Sequence, residues 1–338
     1  MAGYRDAGVD LDAADAAVRR IGPAVTATWH GDVVGGFGGF AAGIRIPGGY
    51  RSPVLMMSTD GVGTKAELAR RTDRLDGLGW DLVAMCVDDL AAAGARPIAM
   101  TDYLAVGHLD VDRVGRLVAS IAAACGEAGV ALLGGETAEH PGVMEPDAFD
   151  LAGAALGVVE EGAEVDGAAV VPGDVVVGID SPNLRSNGFS LLRATVLRRL
   201  AVDDEYPGTG RPVGEVLLEP SVLYTPVVQD LLAAGEVHGL VHVTGGGLPG
   251  NLPRVLPEGT AVTVDTSSWN PAPVFAALGD LTGAPRPELF RTFNMGIGFV
   301  VIVPASAVDA AAETVARHGR EASVIGEVTA GDGGVTLA

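Results

Sequence analysis

Ser58-Thr59-Asp60-Gly61-Val62-Gly63-Thr64-Lys65 sets a carboxylate before flexible residues, a hydroxyl and an ammonium, a turn able to hold a metal ion and a phosphate together. It is not a Walker A loop, because Lys65 is preceded by Thr64 and followed by Ala66 where that pattern needs Gly-Lys-Ser/Thr. Asp88 and Asp89 fall late in an apolar helical pattern, where a buried charge demands a partner. Asp60 and Asp89 converging on a nucleotide's phosphates would suit magnesium; a solvated helix face is the plain alternative for Asp89. Gly35-Gly36-Phe37-Gly38-Gly39 frees the backbone for positive φ, so its N–H groups can approach an anion, or it is simply a flexible loop.

Further along, Gly134-Gly135-Glu136-Thr137-Ala138-Glu139-His140-Pro141-Gly142 reads as a strand end passing into a ligand-contacting loop. Arg185-Ser186-Asn187-Gly188 precedes a helical pattern, where Ser186 or Asn187 can cap the helix while Arg185 attracts an anion. His242-Val243-Thr244-Gly245-Gly246-Gly247 is a second glycine turn able to cradle a phosphate. Arg291-Thr292-Phe293-Asn294-Met295-Gly296 brings a cation and an amide beside a strand. Rossmann, serine-hydrolase and zinc-hydrolase readings fail for lack of Gly-x-Gly-x-x-Gly in context, Gly-x-Ser-x-Gly and His-Glu-x-x-His.

The elements needed to position these residues follow from periodicity. The first half predicts strands over 53–59, 98–106, 130–133 and 150–159, with helices over 81–93 and 111–128. Asp110 is the expected cap of the second helix and Gly129 its stop. A polar, glycine-rich segment runs to about Tyr50, and the acidic stretch 160–174 is the expected linker, dividing the chain into domains 1–165 and 166–338. The second half predicts helices over 188–200 and 221–234 and strands over 175–179, 237–243, 261–265 and 296–303.

At 338 residues, two domains are the default. A net charge of -21 disfavours a nucleic-acid partner, since phosphate neutralisation needs Lys and Arg. No apolar run reaches the roughly 18 residues of a membrane span, and the acidic N-terminus lacks a signal-peptide stretch, so a cytoplasmic protein is expected. Cys86 and Cys125 are too far apart for a CxxC motif and read as reduced core residues.

Taken in order, Tyr4-Arg5-Asp6-Ala7-Gly8-Val9-Asp10, the loop 35–39, and the segments 59–65, 81–90 and 134–142 resemble the aminoimidazole ribonucleotide synthetase family. So do Ser186-Asn187-Gly188, 244–247 and 293–296, and the resemblance spans essentially the whole chain. It implies an α/β fold with mixed sheets in two domains, the N-terminal one pairing across a homodimer into a barrel-like sheet. It implies ATP-dependent closure of formylglycinamidine ribonucleotide to aminoimidazole ribonucleotide, with Mg2+ required and K+ stimulating.

By the same resemblance Asp60 and Asp89 hold the metal and Asp89 and Lys65 act in catalysis, with Arg185, at the place of a family histidine, expected beside them as able to bind phosphate. ATP is contacted by Gly35, Gly36, Phe37, Gly38, Gly39, Thr59, Asp60, Gly61, Thr64, Lys65, Gly135, Glu136 and Thr137. The small nucleotide substrate is contacted by Ser186, Asn187, Gly188, Thr244, Gly245, Gly246, Gly247 and Asn294. One departure stands out: the family commonly carries histidine before Ser-Asn-Gly, and Arg185 cannot shuttle a proton near neutral pH. The alternatives are a paralogue acting on a related small substrate within the same ATP-binding superfamily, and a non-catalytic nucleotide binder, which would have lost its acidic metal set.

Overall fold

A computed structural model of the chain describes residues 8–332 and 334–338; Tyr4, Arg5, Asp6 and Ala7 of the opening motif lie outside them. The chain divides into two compact units, one of Met1–Leu90, Ala95–Gly162 and Pro220–Leu223, the other of Ala91–Gly94, Ala163–Glu219 and Tyr224–Ala338. No single cut separates them, because two short segments belong to the unit opposite their chain neighbours.

The first unit opens with α1 (Leu11–Ala27), capped by the Asp10 carboxylate, which accepts from the N–H groups of Asp12 and Ala13. Then come β1 (Pro53–Gly61), α2 (Lys65–Thr72), α3 (Leu78–Ala92), β2 (Arg96–Val106), α4 (Val111–Glu127), β3 (Ala131–Glu139) and β4 (Phe149–Glu160). The sheet order is β1-β4-β2-β3, parallel between β2 and β3 and antiparallel elsewhere. The parallel pair needs a crossover, and α4 supplies it. Asp110 caps α4 as expected, and Val114, Leu117, Val118, Ile121 and Cys125 form its buried stripe. Gly79 lets α3 press against α4: a Cβ there would lie 2.1 Å from the Ile121 nitrogen.

Two expectations are corrected in this unit. The N-terminal segment contains α1, hidden in the sequence because Pro23 interrupts its pattern and only Ala17, Gly22 and Val25 are buried. The strand expected to stop at residue 133 runs on to Glu139, so Gly134, Gly135, Glu136 and Thr137 are edge-strand residues, held in register with β2.

The second unit is built on a mixed six-stranded sheet. Its strands are β5 (Val175–Asp180), β6 (Gly239–His242), β7 (Thr260–Val264), β8 (Ile297–Val303), β9 (Ala322–Ala330) and β10 (Val335–Leu337), ordered β6-β8-β5-β9-β7-β10. Every residue of β8 is buried, the mark of a strand covered on both faces. Val176, Val241, Val262, Ile325 and Val328 join its residues in the core. The helix expected over 188–200 is broken at Thr195 into α5 (Phe189–Ala194) and α6 (Val196–Arg199). The one expected over 221–234 is α7 (Thr225–Ala234), its first residues belonging to the other unit.

Candidate active site

In the first unit a cavity of about 860 Å³ opens between α1, the loop 36–42 and residues of all four strands of the sheet. Such a volume suits a nucleotide-sized ligand. One wall is apolar, from Ala14, Ala17, Val18, Ile21 and Val25 of α1 with Val118 of α4. The opposite rim is the glycine loop, where Gly35 and Gly38 hold φ of 102° and 83°, the left-handed region that favours glycine. Of the residues expected to touch ATP, Gly36, Phe37, Gly38, Gly39, Thr59, Gly135, Glu136 and Thr137 line this cavity. Gly35, Asp60, Gly61, Thr64 and Lys65 do not.

Asp60 is the last residue but one of β1, where its carboxylate accepts from the Gly61 N–H at 2.7 Å. Asp89 is exposed on α3 and lies 3.5 Å from the Ser58 hydroxyl of β1. Both acids neighbour Cys86: burial first, then these negative charges, hold its thiol up at about 12. Among the described residues no three His, Cys, Asp or Glu side chains gather to hold a metal by themselves. Two carboxylates fit magnesium nonetheless, since it binds through one or two of them and completes its shell with phosphates and water.

Lys65 departs from the expectation of an ammonium facing phosphate. It is fully buried, and its ammonium lies 2.8 Å from the equally buried Asp81, which also accepts from the Ser221 hydroxyl at 2.5 Å and the Ser221 N–H at 3.0 Å. A buried charge needs such neutralisation, so Lys65 and Asp81 bind α2, α3 and Pro220–Leu223 into one unit.

The second unit places the remaining residues. Neither Ser186 nor Asn187 caps α5; Gly188 precedes it with φ of 81°, and a Cβ there would meet the Phe293 ring at 2.2 Å. Arg185, expected to reach for an anion, is fully buried, its Nη1 2.6 Å from His242 Nε2 and its guanidinium 4.9 Å from the Tyr224 ring centre. A guanidinium only donates, so Nε2 accepts and the neutral ring carries its proton on Nδ1. Asn294 donates to the Asn183 carbonyl at 2.9 Å and accepts from the Gly296 N–H at 2.9 Å, which makes it a loop tie. In the turn formed by Thr244, Gly245, Gly246 and Gly247, a Cβ at Gly247 would fall 1.8 Å from the Phe290 carbonyl. The Ser186 hydroxyl and the Asn251 side-chain carbonyl are buried without a hydrogen-bond partner, an arrangement that calls for a ligand or water.

Two family models match the chain: AIR synthase related protein, N-terminal domain, over residues 39–159, and the corresponding C-terminal domain over 171–337. A phosphoribosylformylglycinamidine cyclo-ligase of Thermosynechococcus vestitus is 48% identical over 98% of both chains. This chain belongs to the AIR synthase family. A Myxococcus xanthus relative of the same name is 44% identical over 98% of this chain and 97% of its own. Among solved structures, the family fold is shared with a thiamine-monophosphate kinase from Stenotrophomonas maltophilia K279a (TM-score 0.71, 21% identity, 95% of each chain). It is shared too with the hydrogenase maturation protein HypE solved in complex with ATP (TM-score 0.68, 21% identity, 96% of this chain and 89% of that one).

Within the AIR synthase frame, sequence reasoning passed over Asp102 and Asp81. Asp102 stands on β2 and lines the cavity. Apolar surroundings push its carboxyl up to about 7. The available signal was a lone carboxylate inside the apolar strand expected over 98–106.

Proposed function

We propose that this chain is a phosphoribosylformylglycinamidine cyclo-ligase, converting ATP and formylglycinamidine ribonucleotide to aminoimidazole ribonucleotide, ADP and phosphate in purine biosynthesis. The observation that carries this is near-complete coverage of two cyclo-ligases at 48% and 44% identity. In the reaction the formyl amide oxygen attacks the γ-phosphorus and ADP leaves. The amidine nitrogen then attacks the activated carbon, phosphate leaves and the ring closes.

ATP lies in the first-unit cavity, with its base against the apolar wall and its phosphates toward the glycine loop. Asp60 and Asp89 hold magnesium, which supplies charge neutralisation on the triphosphate. Ser186, Asn187, Gly188 and the turn 244–247 take the nucleotide substrate, supported by the unmet hydrogen bonds of Ser186 and Asn251. Asn294 acts indirectly, by fixing the loop that leads to Ser186. The protein's contribution is largely positioning and electrostatics. With a histidine-to-arginine change at 185, proton transfer falls to substrate, water or another group.

We place the enzyme in the cytoplasm, where its two free, buried cysteines suit a reducing compartment. Among the described residues no helix is long and apolar enough to cross a membrane. The molecule works as a homodimer, for which the support is an open face of the first-unit sheet carrying Leu55 and Met57.

Asp89→Asn tests the metal assignment. Turnover is expected to fall about 100-fold or more with unchanged circular dichroism; near-normal turnover removes Asp89 from the mechanism.

A further inference from the structure

We propose that Asp102 reads the adenine base, its carboxyl pairing with the N1 and N6 edge from the floor of the first-unit cavity; this rests on the nucleotide reading of that cavity.

Among the described lining residues the titratable side chains are Asp102, Tyr103 and Glu136. Glu136 is exposed on the edge strand, and the Tyr103 hydroxyl lies 3.3 Å from His140 Nε2. Asp102 is set differently. It alternates along β2 with buried Met100 and Leu104, on the face covered by helices. Its register partners on both sides are glycines, Gly153 of β4 and Gly135 of β3. A Cβ at 135 would lie 1.7 Å from Asp102 Oδ1 and 2.6 Å from its carbonyl oxygen, so the glycine provides the carboxyl's seat.

The adjoining wall of Ala14, Ala17, Val18 and Ile21 is apolar and suits the face of a purine. In such surroundings the acid keeps its proton into the neutral range, with a pKa of about 7. A protonated carboxyl offers one O–H donor and one carbonyl acceptor. Adenine presents the complement, a ring nitrogen that accepts at N1 and an amino group that donates at N6. A carboxylate has two acceptors and would oppose N1.

The other groups around Asp102 leave this proton in place. Cys125 of α4 has its thiol pushed well above its ordinary value, so it stays neutral. Gly153 carries no charge, and the lining residues of α1 are all apolar.

The test measures dissociation constants by calorimetry for ATP and for purine riboside triphosphate, which lacks the 6-amino group. Wild type, Asp102→Asn and Asp102→Ala are compared from pH 6 to pH 8.5, with folding checked by thermal melts. An asparagine amide reproduces the donor and acceptor of the protonated acid without titrating. The ratio of wild-type to Asp102→Asn affinity for ATP is therefore expected to fall about 30-fold over that range, the phosphates' own titration cancelling. Asp102→Ala should weaken ATP by about 10- to 100-fold at pH 6, and the deamino analogue, which keeps only the N1 contact, by clearly less. An unchanged ratio, or equal losses for both nucleotides in Asp102→Ala, overturns the proposal. Photolabelling by 8-azido-ATP separates the two levels of failure. Label on α1 or β3 together with a flat ratio removes Asp102 alone, whereas label confined to the second unit removes the cavity reading as well.

Discussion

Lys65 carries a charge that the fold has taken out of water, and Asp81 is what makes that tolerable. Removing one partner of a buried pair leaves the other uncompensated, at a cost of about 3–5 kcal/mol. Lys65→Met is therefore expected to lower unfolding stability by about that amount in urea melts. If Lys65 instead serves the nucleotide, stability will hold while ATP affinity drops. The type and spacing in 58–65 marked a functional turn but not the direction of this ammonium, because its partner Asp81 lies 16 residues further on and Ser221, which also holds Asp81, lies 156 residues on. Arg185 and Asn294 share that history: each stands in a polar motif, and each is turned inward by contacts with His242 or Asn183 that no local pattern displays.

At the scale of elements, β1 alternates between exposed and part-buried residues along most of its length. Leu55 and Met57, 50% and 74% exposed, stand on its open face, where two apolar side chains of this size invite a partner. If a second copy covers them, Met57→Glu gives monomers in sedimentation velocity where the wild type gives dimers, with the melting temperature of the monomer little changed. A wild-type monomer would end the dimer proposal. Elements with a clear cap and stripe were legible in the sequence, α4 with Asp110 and its buried Val114, Val118, Ile121 and Cys125 most of all. The extension of β3 through two glycines was not, because glycine carries no strand preference and only pairing with β2 holds it extended. For α1 the obstacle was an interior proline and a helix with few buried positions.

Across the whole molecule, the order of motifs conveyed the family, and with it the α/β fold, where composition alone reached only two domains and a small-molecule partner. The interleaving of the units through Ala91–Gly94 and Pro220–Leu223 lay beyond either route, because it depends on contacts between distant segments. The central claim is the reaction itself. Incubating the purified protein with ATP, magnesium and formylglycinamidine ribonucleotide should yield aminoimidazole ribonucleotide, ADP and phosphate in equal amounts. Bound ATP with no ring-closed product would contradict the account and point to a paralogue acting on another substrate.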